Sequence, residues 1–87
     1  MKKTTYKVTR FDIEDGFYVE VSPSTDNEGN EMYDFVLCKE DYGIKSFMFG
    51  LMAKNCPPST WEDMIEGNVD DYIEGFIEDI EYWESRP

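Results

Sequence analysis

The stretch IKSFMFGLMA, residues 44–53, decides how the chain divides between sheet and helix. Ile44, Phe47, Met48 and Leu51 recur at i, i+3, i+4 and i+7, the spacing of one helix face. Phe49 and Met52 are apolar too, so a helix here is apolar nearly all round. Asn55-Cys56-Pro57-Pro58 stops it, because proline lacks an amide hydrogen and disfavours helix in the residue before it. The segment has two readings. As core it covers a sheet. As surface it offers a Met- and Phe-rich patch to a partner or to a second copy. A domain this small needs every apolar residue it has, which favours core.

Upstream the period is that of strands. Tyr6-Lys7-Val8-Thr9-Arg10 alternates apolar and polar. Phe11 and Ile13 continue on the other parity, which predicts a bulge or bend near Arg10. Glu14-Asp15-Gly16 signals a tight turn. Phe17, Val19 and Val21 mark one face of a second strand, and Tyr18, Glu20 and Ser22 the other. The run from Ser22 to Asn30 is rich in turn formers and reads as a loop. Tyr33, Phe35 and Leu37 define a third strand, with Met32, Asp34, Val36 and Cys38 opposite. The short spacings favour an antiparallel meander.

Downstream the period is helical. Ser59 followed by Glu62 has the spacing of a capping box, predicting a short helix through about Ile65. Gly67 and Asn68 are expected to break it, with Asn68 capping the last helix. There Val69, Tyr72, Ile73, Phe76, Ile77, Ile80 and Trp83 recur at three and four, forming one apolar stripe. Trp61, Phe76, Ile80 and Trp83 are expected to be largely buried. The expected fold is α+β: a three-stranded antiparallel meander over 1–40, then two or three helices over 41–87, packed on one face. Residues 1–87 make a single domain.

The charge is −12 and unevenly spread. Residues 1–54 hold ten acids and seven bases, whereas residues 55–87 hold ten acids and only Arg86 as a base. Asp70–Glu74 and Glu74–Glu78 are like-charge pairs at i, i+4, each destabilising a helix by roughly 0.2–0.5 kcal/mol. Stability alone would not choose that arrangement. Either the acids serve solubility, or the ridge faces a basic partner. Carboxylates at i and i+4 rise about 6 Å along a helix. The lysines and arginines of a nucleic-acid channel would bind such a row as they bind phosphates. The same charge repels DNA, RNA and anionic membranes as direct ligands.

Other chemistries are weaker. The carboxylate pairs Glu62/Asp63 and Asp70/Asp71 sit on a helix face without a pocket, and the chain has no histidine and no G-x-S-x-G. No catalytic residue is assigned. Asp26-Asn27-Glu28-Gly29-Asn30 does not match the D-x-[DN]-x-[DN]-G calcium spacing and reads as a plain turn. Cys38 and Cys56 fit no metal spacing and are expected to be free thiols in a reducing cytosol. No metal and no cofactor is expected. Lys2 and Lys3 are followed by no apolar run, and no stretch nears the roughly 20 apolar residues of a membrane span. A cytoplasmic location in the host cell is the expectation.

With its DNEGNE loop at residues 26–31, the following amphipathic segment and the acid-rich helical end, the chain resembles small acidic inhibitors carried by phages. These are anti-CRISPR proteins and other DNA mimics, and one type II-A anti-CRISPR is similar in length and layout. The resemblance implies a non-enzymatic inhibitor of a basic nucleic-acid-binding protein, such as a CRISPR effector. The residues expected to meet that partner are Glu62, Asp63, Glu66, Asp70, Asp71, Glu74, Glu78 and Glu81. The alternative is a small accessory or structural protein that associates through the 44–53 helix or by dimerisation.

Overall fold

A computed structural model describes residues 8–85. It contains four strands, β1 (Thr9–Asp12), β2 (Phe17–Thr25), β3 (Glu31–Lys39) and β4 (Lys45–Met52), followed by one helix, α1 (Trp61–Glu84). The strands form an antiparallel sheet in the order β1-β2-β3-β4, and α1 lies across one face. The class is α+β, with four strands and one α-helix where three strands and two or three helices were expected.

Turn chemistry sets the meander. Asp15 and Gly16 both have positive φ, 55° and 83°, as an Asp-Gly hairpin turn requires. Between β2 and β3, the Asp26 carboxylate accepts the backbone N–H of Glu28 and of Asn30, both at 2.9 Å. Gly29, with φ 86°, closes that loop. The Asp26 oxygens are therefore occupied by the turn itself, and the Asn30 donors hold its carboxyl below the usual range.

The register aligns the inner-face residues in rows. Val19 lies beside Leu37 and Val21 beside Phe35, Phe35 lies beside Phe49, and Phe17 ends its row beside Lys39. β1 pairs with β2 without interruption from Thr9 to Asp12, so the bulge expected near Arg10 is absent there. Phe11 and Ile13 pack against the core, while Val8 is exposed. Tyr6 and Lys7 lie outside the described residues.

Residues 45–52 are a strand and not a helix, and a real bulge explains the misleading spacing. Phe35 pairs with Phe49 and Val36 with Phe47, leaving Met48 as an extra residue on β4. Met48 turns inward and is buried; its carbonyl accepts the Tyr72 hydroxyl at 3.1 Å. Inserting one inward residue into a strand alternation places apolar side chains at 47, 48, 49 and 51. That pattern imitates the three-and-four spacing of a helix.

The helical part is also simpler than expected. Gly67 and Asn68 do not break α1, which runs through both. Gly67 sits on the solvent side, where a glycine costs about 1 kcal/mol relative to alanine. Asn68 donates to the Met64 carbonyl four residues back at 2.8 Å and caps nothing. Burial of Ile65 and Val69 on either side holds the helix together. The Ser59 capping box is absent as well. A 3-10 turn over Pro58–Thr60 leads into α1, with Thr60 at the N-cap and its hydroxyl donating to the Pro57 carbonyl.

Trp61 anchors the start of α1. Its ring contacts Tyr33, Phe35 and Phe11, with centroids 4.8, 6.3 and 6.5 Å away, and its indole N–H donates to the Cys56 carbonyl at 3.1 Å. Phe76 meets Phe17 edge-on at 5.5 Å. Beyond Phe76 the helix outruns the sheet. Ile80 is half-buried, and Trp83, expected in the core, is 56% exposed. Twenty-four helical residues extend about 36 Å. The nine-residue strands reach only about 30 Å.

Candidate protein-binding surface

The apolar stripe of α1 faces the sheet, and the acids of the helix are exposed. All eight predicted contact residues are exposed: Glu62, Asp63, Glu66, Asp70, Asp71, Glu74, Glu78 and Glu81. They do not form one row. At about 100° per residue, Asp63, Asp70, Asp71, Glu74, Glu78 and Glu81 fall on the side away from the sheet. Glu62 and Glu66 fall on the flank over β1. There they border a shallow groove of roughly 260 Å³ with Arg10, Phe11, Asp12, Ile13 and Ile65.

Two further carboxylates join this surface. Asp79 projects at an angle that belongs to the apolar stripe, which disguises it in a helical wheel. It is exposed because the sheet has ended beneath it. Glu84 accepts a hydrogen bond from the Tyr42 hydroxyl at 2.7 Å, which raises the tyrosine's pKa.

Helix α1 carries ten acids and no base. Spread over about 36 Å, that is one charge per roughly 3.6 Å, close to the ~3.4 Å per charge along one strand of DNA. Among the described residues, the ion pairs lie elsewhere, and none involves an α1 carboxylate. Arg10 pairs with Asp12 at 2.8 Å and with Glu40 at 2.6 Å, and Lys45 pairs with Glu20 at 2.9 Å. Among the described residues, Arg10 and Lys45 are thus engaged on the sheet, and no ion pair there offsets the helix field.

The pairs Glu62/Asp63 and Asp70/Asp71 do not converge. Neighbours in a helix diverge by about 100°, and each of these four side chains is open to water. Among the described residues, no three acid or cysteine side chains are arranged to hold a metal ion. No helix among them is long and apolar enough to cross a membrane.

No described element covers the sheet face away from α1, which divides in two. Near β1 and β2 it is ionic: the Arg10 guanidinium lies 3.8 Å from the centre of the Tyr18 ring. Glu20 accepts from Lys45 at 2.9 Å and from the Cys38 thiol at 3.5 Å. The Lys45 bond lowers the Glu20 carboxyl's pKa. Burial, with Glu20 beside it, pushes the Cys38 thiol up to about 11. Near β4 the same face is apolar, with Phe47 60% exposed. The rival surface expected on a 44–53 helix therefore exists as one face and edge of a strand.

Cys38 and Cys56 are both free and buried. With its pKa near 11, Cys38 is almost wholly protonated at neutral pH, and only the thiolate attacks disulfide reagents. Native protein should therefore react slowly with a chromogenic disulfide at pH 8 and release two equivalents of thiol only on denaturation. Prompt stoichiometric labelling of the native fold would contradict the burial of both sulfurs.

Compared with family models, curated proteins and solved structures, the chain matches none of them. Its function has to be argued from its own surface.

Proposed function

We propose that the chain is a non-enzymatic inhibitor that binds a basic nucleic-acid-binding protein and occupies its DNA or RNA site with α1. The observation that carries this reading is the one-signed charge of the helix: ten exposed acids, no base within α1, no ion pair to them among the described residues, and a spacing near that of a phosphate backbone. A rigid helix presents these charges without ordering a loop, which lowers the entropic cost of binding. Lysines and arginines arranged for phosphates would donate charge-assisted hydrogen bonds to the carboxylates. The resemblance to phage inhibitors favours a CRISPR effector as target, met in the cytoplasm of the host cell.

The test is capture from a bacterial lysate at low salt, with the bound protein identified and challenged with nucleic acid. The expected partner is released both by added salt and by DNA or RNA. A partner that keeps its nucleic acid while bound would overturn the reading. The chain alone should shift neither single- nor double-stranded DNA or RNA in a gel. Among the described residues no basic groove lines up stacking rings as single strands need, and the net charge opposes duplexes. A retained complex at micromolar protein would count against the proposal.

A further inference from the structure

The twenty residues from Tyr42 to Trp61 contain no Asp or Glu, although the chain holds twenty acids. This segment carries Lys45 and Lys54, so its own charge is positive within a chain of −12. It supplies β4, the last strand of the sheet, whose outer edge no described strand pairs. Natural edge strands are usually blunted by charge, proline or a bulge. β4 has one charge, Lys45, already held by Glu20, and no proline. Its bulge is at Met48, where the Tyr72 hydroxyl already satisfies the carbonyl. Beside this open edge Phe47 is 60% exposed and Ile44 48% exposed.

From this juxtaposition we infer that β4 is a self-association edge, along which a second copy of this chain pairs antiparallel about a two-fold axis normal to the sheet. The two four-stranded sheets become one of eight strands. Phe47 of each copy lies on its uncovered face, and both α1 helices lie on the other. The occupant is argued from charge. A second copy is as acidic as the first, so it approaches best along the segment that contributes no acid of its own. Of the carboxylates that reach this segment from elsewhere, Glu20 is held by Lys45 and Glu84 by Tyr42, and Asp34 lies one strand in from the edge. Strands stack about 4.8 Å apart, so the two sheet centres lie roughly 19 Å from each other. That exceeds the ~8 Å screening length at physiological salt, and the helices repel little. An eight-residue edge is about 26 Å long, too little by itself for the roughly 1,200–2,000 Å² of a permanent interface. The dimer is therefore reversible, and the exposed Phe47 ring contributes most to it.

Its salt dependence has the opposite sign to that of the acidic helix. Salt screens the repulsion between two like-charged copies, so dimerisation tightens as salt rises, whereas binding of a basic partner to α1 weakens. Sedimentation velocity of the purified chain, from micromolar to millimolar and at low and high salt, reads this directly. The expected result is a monomer–dimer equilibrium that shifts toward dimer with salt and is weakened about tenfold or more by Phe47→Glu. Circular dichroism checks that this surface variant stays folded. Amide exchange across β4, slower at high protein concentration, gives a second reading that needs no variant. A monomer at millimolar protein and high salt would overturn the inference, as would a dimer indifferent to Phe47→Glu. Loss of a different captured protein on Phe47→Glu, with the parent chain monomeric throughout, would assign the edge to that partner and overturn self-association.

Discussion

Trp61→Ala should lower the melting temperature by on the order of 20 °C. Truncating a buried tryptophan costs about 3–5 kcal/mol. Each kcal/mol moves the midpoint of a domain this size by about 4–8 °C. Trp61 is only 7% exposed and its ring joins two strands to the helix, touching Phe11 on β1 and Tyr33 and Phe35 on β3. Its removal also takes the indole donor from the Cys56 carbonyl, which the segment before α1 needs for its path. The loss is a large part of the 5–15 kcal/mol typical of small domains. Trp83→Ala supplies the contrast. That ring is more than half exposed and meets Tyr82 edge-on at 5.6 Å, so its loss should cost clearly less than that of Trp61. Thermal melts of the two variants measure both. A Trp61→Ala variant that melts within a few degrees of the parent would show that Trp61 does not centre the core.

These two tryptophans also mark what the sequence makes legible. Both lie on or near the apolar stripe of the last helix, and periodicity treats them alike. Whether a residue on the stripe is buried depends on where the sheet ends, and that length is set by β2 and β3. The same missing information hid Asp79, whose angular position belongs to the core face although the side chain is exposed. Long elements were readable because many residues repeat one period: the stripe through Phe76, and the alternation in β2 and β3. Residues 44–53 were not, because the Met48 bulge inserts one inward residue and changes a period of two into an apparent period near four. Gly67-Asn68 misled for a different reason. Their local preference opposes helix by about 1 kcal/mol, and burial of Ile65, Val69 and Phe76 around them outweighs it. The eight acids expected to meet a partner are all exposed, since nothing in a small apolar core can accept an unpaired carboxylate. What periodicity could not resolve was their division between the far side of α1 and the flank over β1.

Changing Glu74, Glu78 and Glu81 together to Gln should weaken binding of a basic partner by more than about tenfold while leaving the fold intact. All three side chains are exposed on the side of α1 away from the sheet, so no core contact is lost. Gln has nearly the volume and helix propensity of Glu. The Glu74–Glu78 repulsion at i, i+4 disappears, so the melting temperature should stay level or rise slightly. Binding should respond in the opposite direction for two reasons. Charge-assisted bonds from lysine or arginine become neutral ones, roughly half as strong. The field that steers a basic partner toward α1 also falls, which slows association at low salt. Calorimetry against the captured partner at two salt concentrations separates these effects from general damage. The parent should lose affinity steeply with salt, and the triple variant much less. The matched reversal Glu74→Lys, Glu78→Lys and Glu81→Lys should abolish binding at either salt, because like charges then face each other across the interface. If the triple Gln variant binds as tightly as the parent, with the same shallow salt dependence, α1 is not the contact and its charge serves solubility. The sheet's uncovered face around Phe47 would then be the surface to change next, and its response to salt would already be known from the self-association experiment.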